Sequence, residues 1–285
     1  MKYCRPLISL ILAGFFSTSI AAESCSIQQF SKAQQGAGAW INQDNWLSPE
    51  NLRFSAQATQ LFMPQLIIKS TIAPAARPSQ YRLLDINNTQ AQDPLNKQQR
   101  SIRFLLDTRL YADGFLVLRN GKIMGEEYWH GLTAQQPRLL LGTGRPLLSL
   151  MSAIAITQGK LTADKSVIRY VPALAGQTGL RKLSIQRLLD ANTPFEWSPK
   201  EISEWQAASG WKPGINGGDV RAWLSTADRW ERNFAGKTNN PDAGPEGDLL
   251  AWVLAESYRA RLARVFCENI LSRLRPENPM FWLTD

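Results

Sequence analysis

The chain is poor in histidine and cysteine, and this limits the chemistry open to it. Its single histidine, His130 in Trp129-His-Gly131, lacks the second and third ligands that a zinc site needs, so we interpret it as a surface turn residue. No Gly-x-Ser-x-Gly elbow, phosphate-binding loop or dinucleotide fingerprint occurs. We therefore expect no metal and no cofactor.

The longest apolar run lies at the N-terminus and is too short to span a bilayer, which takes about 20 residues. Lys2 and Arg5 precede the apolar residues 6–16, and small residues follow up to Ala22. This order is typical of a cleavable secretory signal peptide over residues 1–22. The sequence thus predicts an exported protein without a membrane span, with the periplasm favoured over the medium.

Cysteine usage leaves two alternatives open. Cys4 would leave with the signal peptide, so Cys25 and Cys267 remain in an oxidising compartment. They form either a disulfide, tying the mature N-terminus to a late helix, or two unpaired thiols.

The chain is basic, with a formal net charge of +8 from 32 Lys and Arg against 24 Asp and Glu. The basic residues are scattered, as in Arg259, Arg261 and Arg264, without aromatic interleaving or a nucleic-acid motif. We favour a solvated basic face over weak attraction to an anionic cell envelope, and we expect no nucleic-acid partner.

The clearest local pattern is a β-hairpin. Two strand-like runs, residues 114–119 and 122–129, flank Asn120-Gly121, a typical hairpin turn. Residues 23–104, which are rich in Gln and Asn, predict an irregular N-terminal segment.

The rest of the chain reads mainly as helix. Residues 146–158, apolar almost all round and followed by Gly159, predict a buried helix. Residues 184–189 and 249–274 give further helical patterns, whereas residues 197–245 read as loops and short helices. Segregated strands and helices favour an α+β domain over an alternating parallel sheet.

Several short stretches along the chain occur in an order that is known from one family of proteins. They are Asn45-Trp46, Pro49-Glu50-Asn51, Asp113-Gly114, Glu127-Tyr128, Gly159–Leu174, Leu183–Asp190 and Phe281–Asp285. Together they resemble the serine β-lactamase and penicillin-binding-protein family, closest to its 6-aminohexanoate-dimer hydrolase branch. The resemblance covers roughly residues 45–285, and it implies a helical body with an incomplete antiparallel sheet, in a domain at 105–285 that lacks its C-terminal part.

The resemblance also implies where catalytic residues should lie. The family's Ser-x-x-Lys falls on Gly142-Thr-Gly-Arg145, and its tyrosine falls near Asp242. Glycine carries no nucleophile, and a guanidinium keeps its proton near neutral pH and cannot act as a base. The family's third motif, a Lys- or His-containing strand, would follow the last residue of the sequence. We therefore expect no intact catalytic set.

Two further features were weighed. Ser209-Gly-Trp-Lys212 matches Ser-x-x-Lys, but Gly210 and the proline after Lys212 disfavour a helix, so we read it as a loop. The loop Gly142-Thr-Gly144 could offer N–H groups to an anion beside Arg145, although a loop without a binding role is the preferred reading.

These observations predict an exported, catalytically inactive relative of the serine hydrolases, either a remnant or a binding protein for a small ester, amide or cell-wall-like ligand. The alternative is an active hydrolase of small esters or amides that uses residues not identified from the sequence.

Overall fold

The structure is a computed structural model that describes residues 24–30, 40–61, 63–81, 83–212, 218–235 and 244–284. The predicted signal peptide, Asp242 and Asp285 lie outside these ranges. The fold is α+β, as predicted, with a helical body and small antiparallel sheets. The strands are β1 (Cys25–Phe30), β2 (Gln65–Ser70), β3 (Gln90–Gln92), β4 (Gln99–Ser101), β5 (Gly114–Arg119), β6 (Lys122–Tyr128) and β7 (Met280–Leu283). The α-helices are α1 (Pro49–Ser55), α2 (Ile102–Phe104), α3 (Gly144–Thr157), α4 (Ile185–Leu189), α5 (Pro199–Ala208), α6 (Val220–Leu224), α7 (Arg229–Arg232), α8 (Gly244–Tyr258), α9 (Leu262–Phe266) and α10 (Ser272–Leu274).

The largest sheet joins the two ends of the described chain. Its order is β1-β2-β7, and both pairings are antiparallel, with Ile68 of β2 opposite Ile27 and Met280. Ile68 is fully buried in the main core. This sheet is therefore built without the predicted hairpin, from strands that the sequence pattern did not predict. The glutamine-rich β1 is weakly apolar, and only its pairing with β2 makes it a strand.

The irregular N-terminal segment predicted for residues 23–104 is also corrected. It contains β1, α1, β2, β3 and β4, and residues 102–109 continue from α2 into a π-helical turn without a break at residue 104. These elements are short, so they carry little of the periodicity from which a sequence pattern is read.

The predicted hairpin is present as a separate two-stranded sheet of β5 and β6. Asn120 and Gly121 have φ of 52° and 71°, the left-handed backbone that the turn requires. On the outer side of β6, the Tyr81 N–H donates to the Ile123 carbonyl at 2.9 Å. The hairpin thus pairs with residues from the N-terminal segment, and it does not join β1, β2 and β7.

Helix α3 starts two residues before the predicted helix and lies against α8. Met151 and Ala155 are almost fully buried, but Leu150 is 49% exposed, so the helix is buried on one side only. The prediction that α3 is buried on all sides was therefore wrong. Apolar residues also occur on its outer side, so the sequence pattern could not show which side faces the core.

One covalent link fixes β1 to the helical body. Cys25 and Cys267 form a disulfide with a Cα–Cα distance of 6.0 Å, and both residues are buried in the main core. Cys267 begins the π-helical turn Cys267–Leu271 that follows α9. Of the two alternatives left open by the sequence, the structure has the paired cysteines.

Among the described residues, no helix has both the length and the apolar character needed to cross a bilayer.

Candidate active-site cavity

The N-terminal end of α3 opens onto a cavity of about 1000 Å³. Residues from α5, α6, α8, α9 and β7 complete its walls. The aromatic lining residues are Trp205, Trp211, Trp252, Phe281 and Trp282, and the charged ones are Arg138, Arg145, Arg221, Arg261 and Asp248. The cavity is therefore an aromatic pocket with several guanidinium groups.

The turn before α3 places Gly142 and Arg145 in this lining. A 3₁₀ turn over Leu141–Thr143 leads directly into the helix, and Leu141 takes a left-handed φ of 48°. Thr143 does not cap the helix, since its Oγ1 donates to the Leu140 carbonyl at 2.5 Å. A Cβ added at Gly142 would meet nothing within 4 Å, so the position has room for a serine side chain that this sequence lacks.

A buried carboxylate lies near Arg145. Glu246, in the first turn of α8, is fully buried, and its Oε1 accepts hydrogen bonds from Thr193 Oγ1 at 3.0 Å and Trp197 Nε1 at 3.2 Å. Burial raises the pKa of Glu246, while these hydrogen bonds and the positive charge of Arg145 oppose the rise. Arg145 thus interacts with a buried acid where the family resemblance implies a catalytic lysine.

Sequence reasoning missed Glu246, and it also missed Asp248, two residues later. Asp248 lines the cavity, and its Oδ2 accepts a hydrogen bond from Trp205 Nε1 at 2.7 Å. Gly244 lies so close to Trp205 that an added Cβ would come within 2.2 Å of the ring. The sequence indicates these two residues only as a pair of acids inside an otherwise apolar helical pattern.

The lining offers hydroxyl groups but few bases. Thr59, Ser209 and Thr284 line the cavity, yet among the described lining residues there is no lysine, histidine, tyrosine or cysteine. The Ser209 hydroxyl donates weakly to the Gln206 carbonyl at 3.4 Å. The cavity therefore holds hydroxyls without a lysine, histidine or tyrosine to activate them.

As the sequence predicted, the Ser209-Gly-Trp-Lys212 motif is not helical. Helix α5 ends at Ala208, and Gly210 follows with a φ of 77°. Ser209 and Lys212 consequently do not lie one turn apart on a helical face, and Lys212 is not part of the lining.

The single histidine lies outside the cavity. His130 occupies a turn with a φ of 55°, followed by Gly131 at 84°, and its Nε2 lies 2.8 Å from Asp107 Oδ1. Across the described ranges, no three His, Cys, Asp or Glu side chains are grouped to hold a metal ion.

An ion-pair cluster connects the cavity rim to the hairpin. Asp113, immediately before β5, has a side chain only 2% exposed, and its Oδ1 lies 2.7 Å from Arg53 Nε. Its other oxygen pairs with Arg138, a cavity-lining residue. In the sequence, Asp113 was notable only as part of the Asp113-Gly114 stretch that resembles the family. Its arginine partners could not be predicted.

Comparison with known proteins places this geometry in context. No protein-family model matches the chain. A 6-aminohexanoate-dimer hydrolase from Paenarthrobacter ureafaciens is 26% identical over 170 residues, which cover 57% of this chain and 42% of that protein. A solved structure from Bacillus anthracis, provisionally named a 6-aminohexanoate-dimer hydrolase, superposes with a TM-score of 0.71 and 20% identity over 87% of this chain and 66% of that one.

The chain thus spans less than two thirds of either relative. It is homologous to 6-aminohexanoate-dimer hydrolase and has the β-lactamase/transpeptidase fold.

Proposed function

We propose that the protein is an exported, non-catalytic relative of these hydrolases that uses the cavity at α3 to bind a small organic ligand. Export is supported by the order of charged, apolar and small residues over residues 1–22. Sequencing the mature N-terminus from a bacterial periplasmic fraction tests this part. A start at Glu23 is expected, and a protein retained in the cytoplasm with Met1 intact would contradict export.

The observation that carries the loss of catalysis is the pair Gly142 and Arg145 on the cavity wall. Acyl transfer through a covalent intermediate needs a hydroxyl or thiol and a group that removes its proton. Gly142 has no side chain, and Arg145 carries a guanidinium, a side-chain group that donates hydrogen bonds and has no acceptor for a proton. The two positions that should supply nucleophile and base supply neither.

The other lining residues do not replace this pair. Ser209 is the one serine of the described lining, and no lysine, histidine or tyrosine accompanies it there. Within the described lining, Asp248 is the only carboxylate, and it already accepts a hydrogen bond from Trp205. A serine hydroxyl without an adjacent base is a weak nucleophile near neutral pH.

Binding is supported by the size and the walls of the cavity. Ligand sites usually occupy about 300–1000 Å³ and combine apolar walls with a few placed polar groups. This cavity lies at the upper end of that range, and its aromatic walls surround a small number of charged groups.

Turnover assays separate this proposal from the active-hydrolase alternative. The full chain is incubated with a nitrophenyl ester and with a chromogenic β-lactam, beside Arg145→Ala as the matched control. We expect both proteins to give the same background rate. Turnover clearly above background that Arg145→Ala abolishes would establish the alternative and overturn the non-catalytic assignment.

A further inference from the structure

We infer that the cavity selects an organic anion, a carboxylate carried on an apolar body, over neutral or cationic ligands of the same shape. This inference rests on the proposed binding function and names the class of ligand. It depends on the charge around the cavity, the character of its walls and the presence of a single acidic residue in the described lining.

The charge around the cavity is positive even after its arginines are paired with nearby acids. Arg53 and Arg138 share the single carboxylate of Asp113. Arg221 is balanced by Glu256 at 3.6 Å. Arg145 interacts with Glu246, which is fully buried and also accepts hydrogen bonds from Thr193 and Trp197.

Arg261 adds a further positive charge to the lining. It is the residue just before α9, at an exposed position, and no ion pair found within the described residues includes its side chain. Among the lining residues that the structure describes, Asp248 is the one acid, and it is already hydrogen-bonded to Trp205. The balance favours a ligand that brings one negative charge, since a guanidinium binds a carboxylate by charge-assisted hydrogen bonds.

The walls favour an apolar body next to that charge. Trp205 and Trp252 donate their Nε1 hydrogens to Asp248 at 2.7 Å and to Glu256 at 3.0 Å, so the polar atoms of both indoles already have partners. Both indoles contribute to the lining together with Trp211, Phe281 and Trp282, although Trp252 is only 8% exposed and Trp211 stacks on Trp46. Burial of apolar ligand surface against such walls is favourable.

An amine has little to bind in the same cavity. Apart from Asp248, the described lining contains no Asp or Glu, and an ammonium group would be placed among arginines. Like charges in a partly desolvated site repel strongly, so a cationic ligand is disfavoured.

The test measures binding of three ten-carbon probes to the full chain by isothermal titration calorimetry below their micelle concentrations: decanoate, decanol and decylamine. We expect decanoate to bind about ten-fold more tightly than decanol, since one hydrogen-bonded charge contributes about this much. Decylamine should bind most weakly.

Matched variants locate the charge. Arg261→Gln should lower the affinity for decanoate about ten-fold and leave that for decanol unchanged, as expected for one lost charge-assisted contact. Arg259→Gln, two residues earlier on an exposed position outside the lining, removes the same charge from the surface and should change neither affinity.

Each outcome is decisive. Equal affinities for decanoate and decanol, or an equal loss with Arg259→Gln and Arg261→Gln, would overturn the anion preference while leaving the binding function intact. Failure of all three probes to bind would overturn the proposed binding function and the inference with it.

Discussion

The two ends of helix α3 differ in what holds them. Its C-terminal half is fixed by the core, with Met151 and Ala155 almost fully buried against a body that includes α8. Its first turn lies in the wall of an open cavity, where Gly142 has free space around it and no side chain caps the helix. The fold therefore depends on the core end, and the residues of the cavity end can change without loss of the fold.

The disulfide gives the largest expected effect at the core end. Replacing both cysteines, Cys25→Ser with Cys267→Ser, should lower the free energy of unfolding by about 4 kcal/mol, because the link closes a very long loop. Thermal unfolding followed by circular dichroism measures the loss. Dithiothreitol should lower the Tm of the parent chain to that of the variant and leave the variant unchanged; a reductant-insensitive parent would contradict the structural role of this link.

A core truncation in the same helix should come next in size. Met151→Ala removes a side chain that is 1% exposed and should cost about 3 kcal/mol, through lost burial and the cavity that remains. Chemical denaturation measures it. Leu150→Ala, at the adjacent 49% exposed position, is the control and should cost far less. Equal losses would show that the outer side of α3 is covered in solution.

Replacing Glu246, the buried acid of α8 that interacts with Arg145, should give a smaller change in stability that depends on pH. Its pKa is raised in the folded protein by burial, so the folded state binds a proton more tightly than the unfolded state does. Stability should therefore fall as pH rises from the unfolded pKa through the raised folded pKa. In Glu246→Gln that fall should be absent.

Thermal unfolding of the two proteins is compared at a series of pH values between about 4 and 8. This range starts near the ordinary pKa of a glutamate and extends above it. The Tm of Glu246→Gln minus that of the parent should grow with pH. A difference that stays constant over the whole range would show that Glu246 does not titrate with a raised pKa.

The smallest effect is expected at the cavity end. Gly142→Ser should change stability by less than about 0.5 kcal/mol, since the added side chain meets no neighbour. It should also give no hydrolysis of a nitrophenyl ester, because Arg145 cannot accept the serine proton. The double variant, Gly142→Ser with Arg145→Lys, is also expected to be inactive. Turnover by it would show that the described lining supports catalysis without a tyrosine or histidine.

The sequence predicted the elements with strong local signals. The hairpin follows from Asn120-Gly121, and α3 follows from its apolar run and Gly159, with bounds within two residues of those predicted. Strand β1 could not be predicted, because its glutamines carry no strand signal and its position depends on β2, far along the chain.

The same limit applies to the site. The positions of Gly142 and Arg145 came from motif resemblance, and the structure brings both to one cavity. Glu246, Asp248 and the arginine partners of Asp113 belong to the site only through contacts between distant segments. A local sequence pattern does not predict contacts between distant segments, so only the structure shows which charged residues around the cavity are paired.

Intact-mass spectrometry after incubation with an activated ester tests the loss of catalysis most directly, since serine hydrolases of this kind work through a covalent acyl-enzyme. The full chain should show no increase in mass at any time point, while a serine hydrolase run in parallel gains one acyl group. An acyl adduct that forms stoichiometrically and maps to a residue of the cavity, such as Ser209, would contradict the assignment of a binding site without a nucleophile.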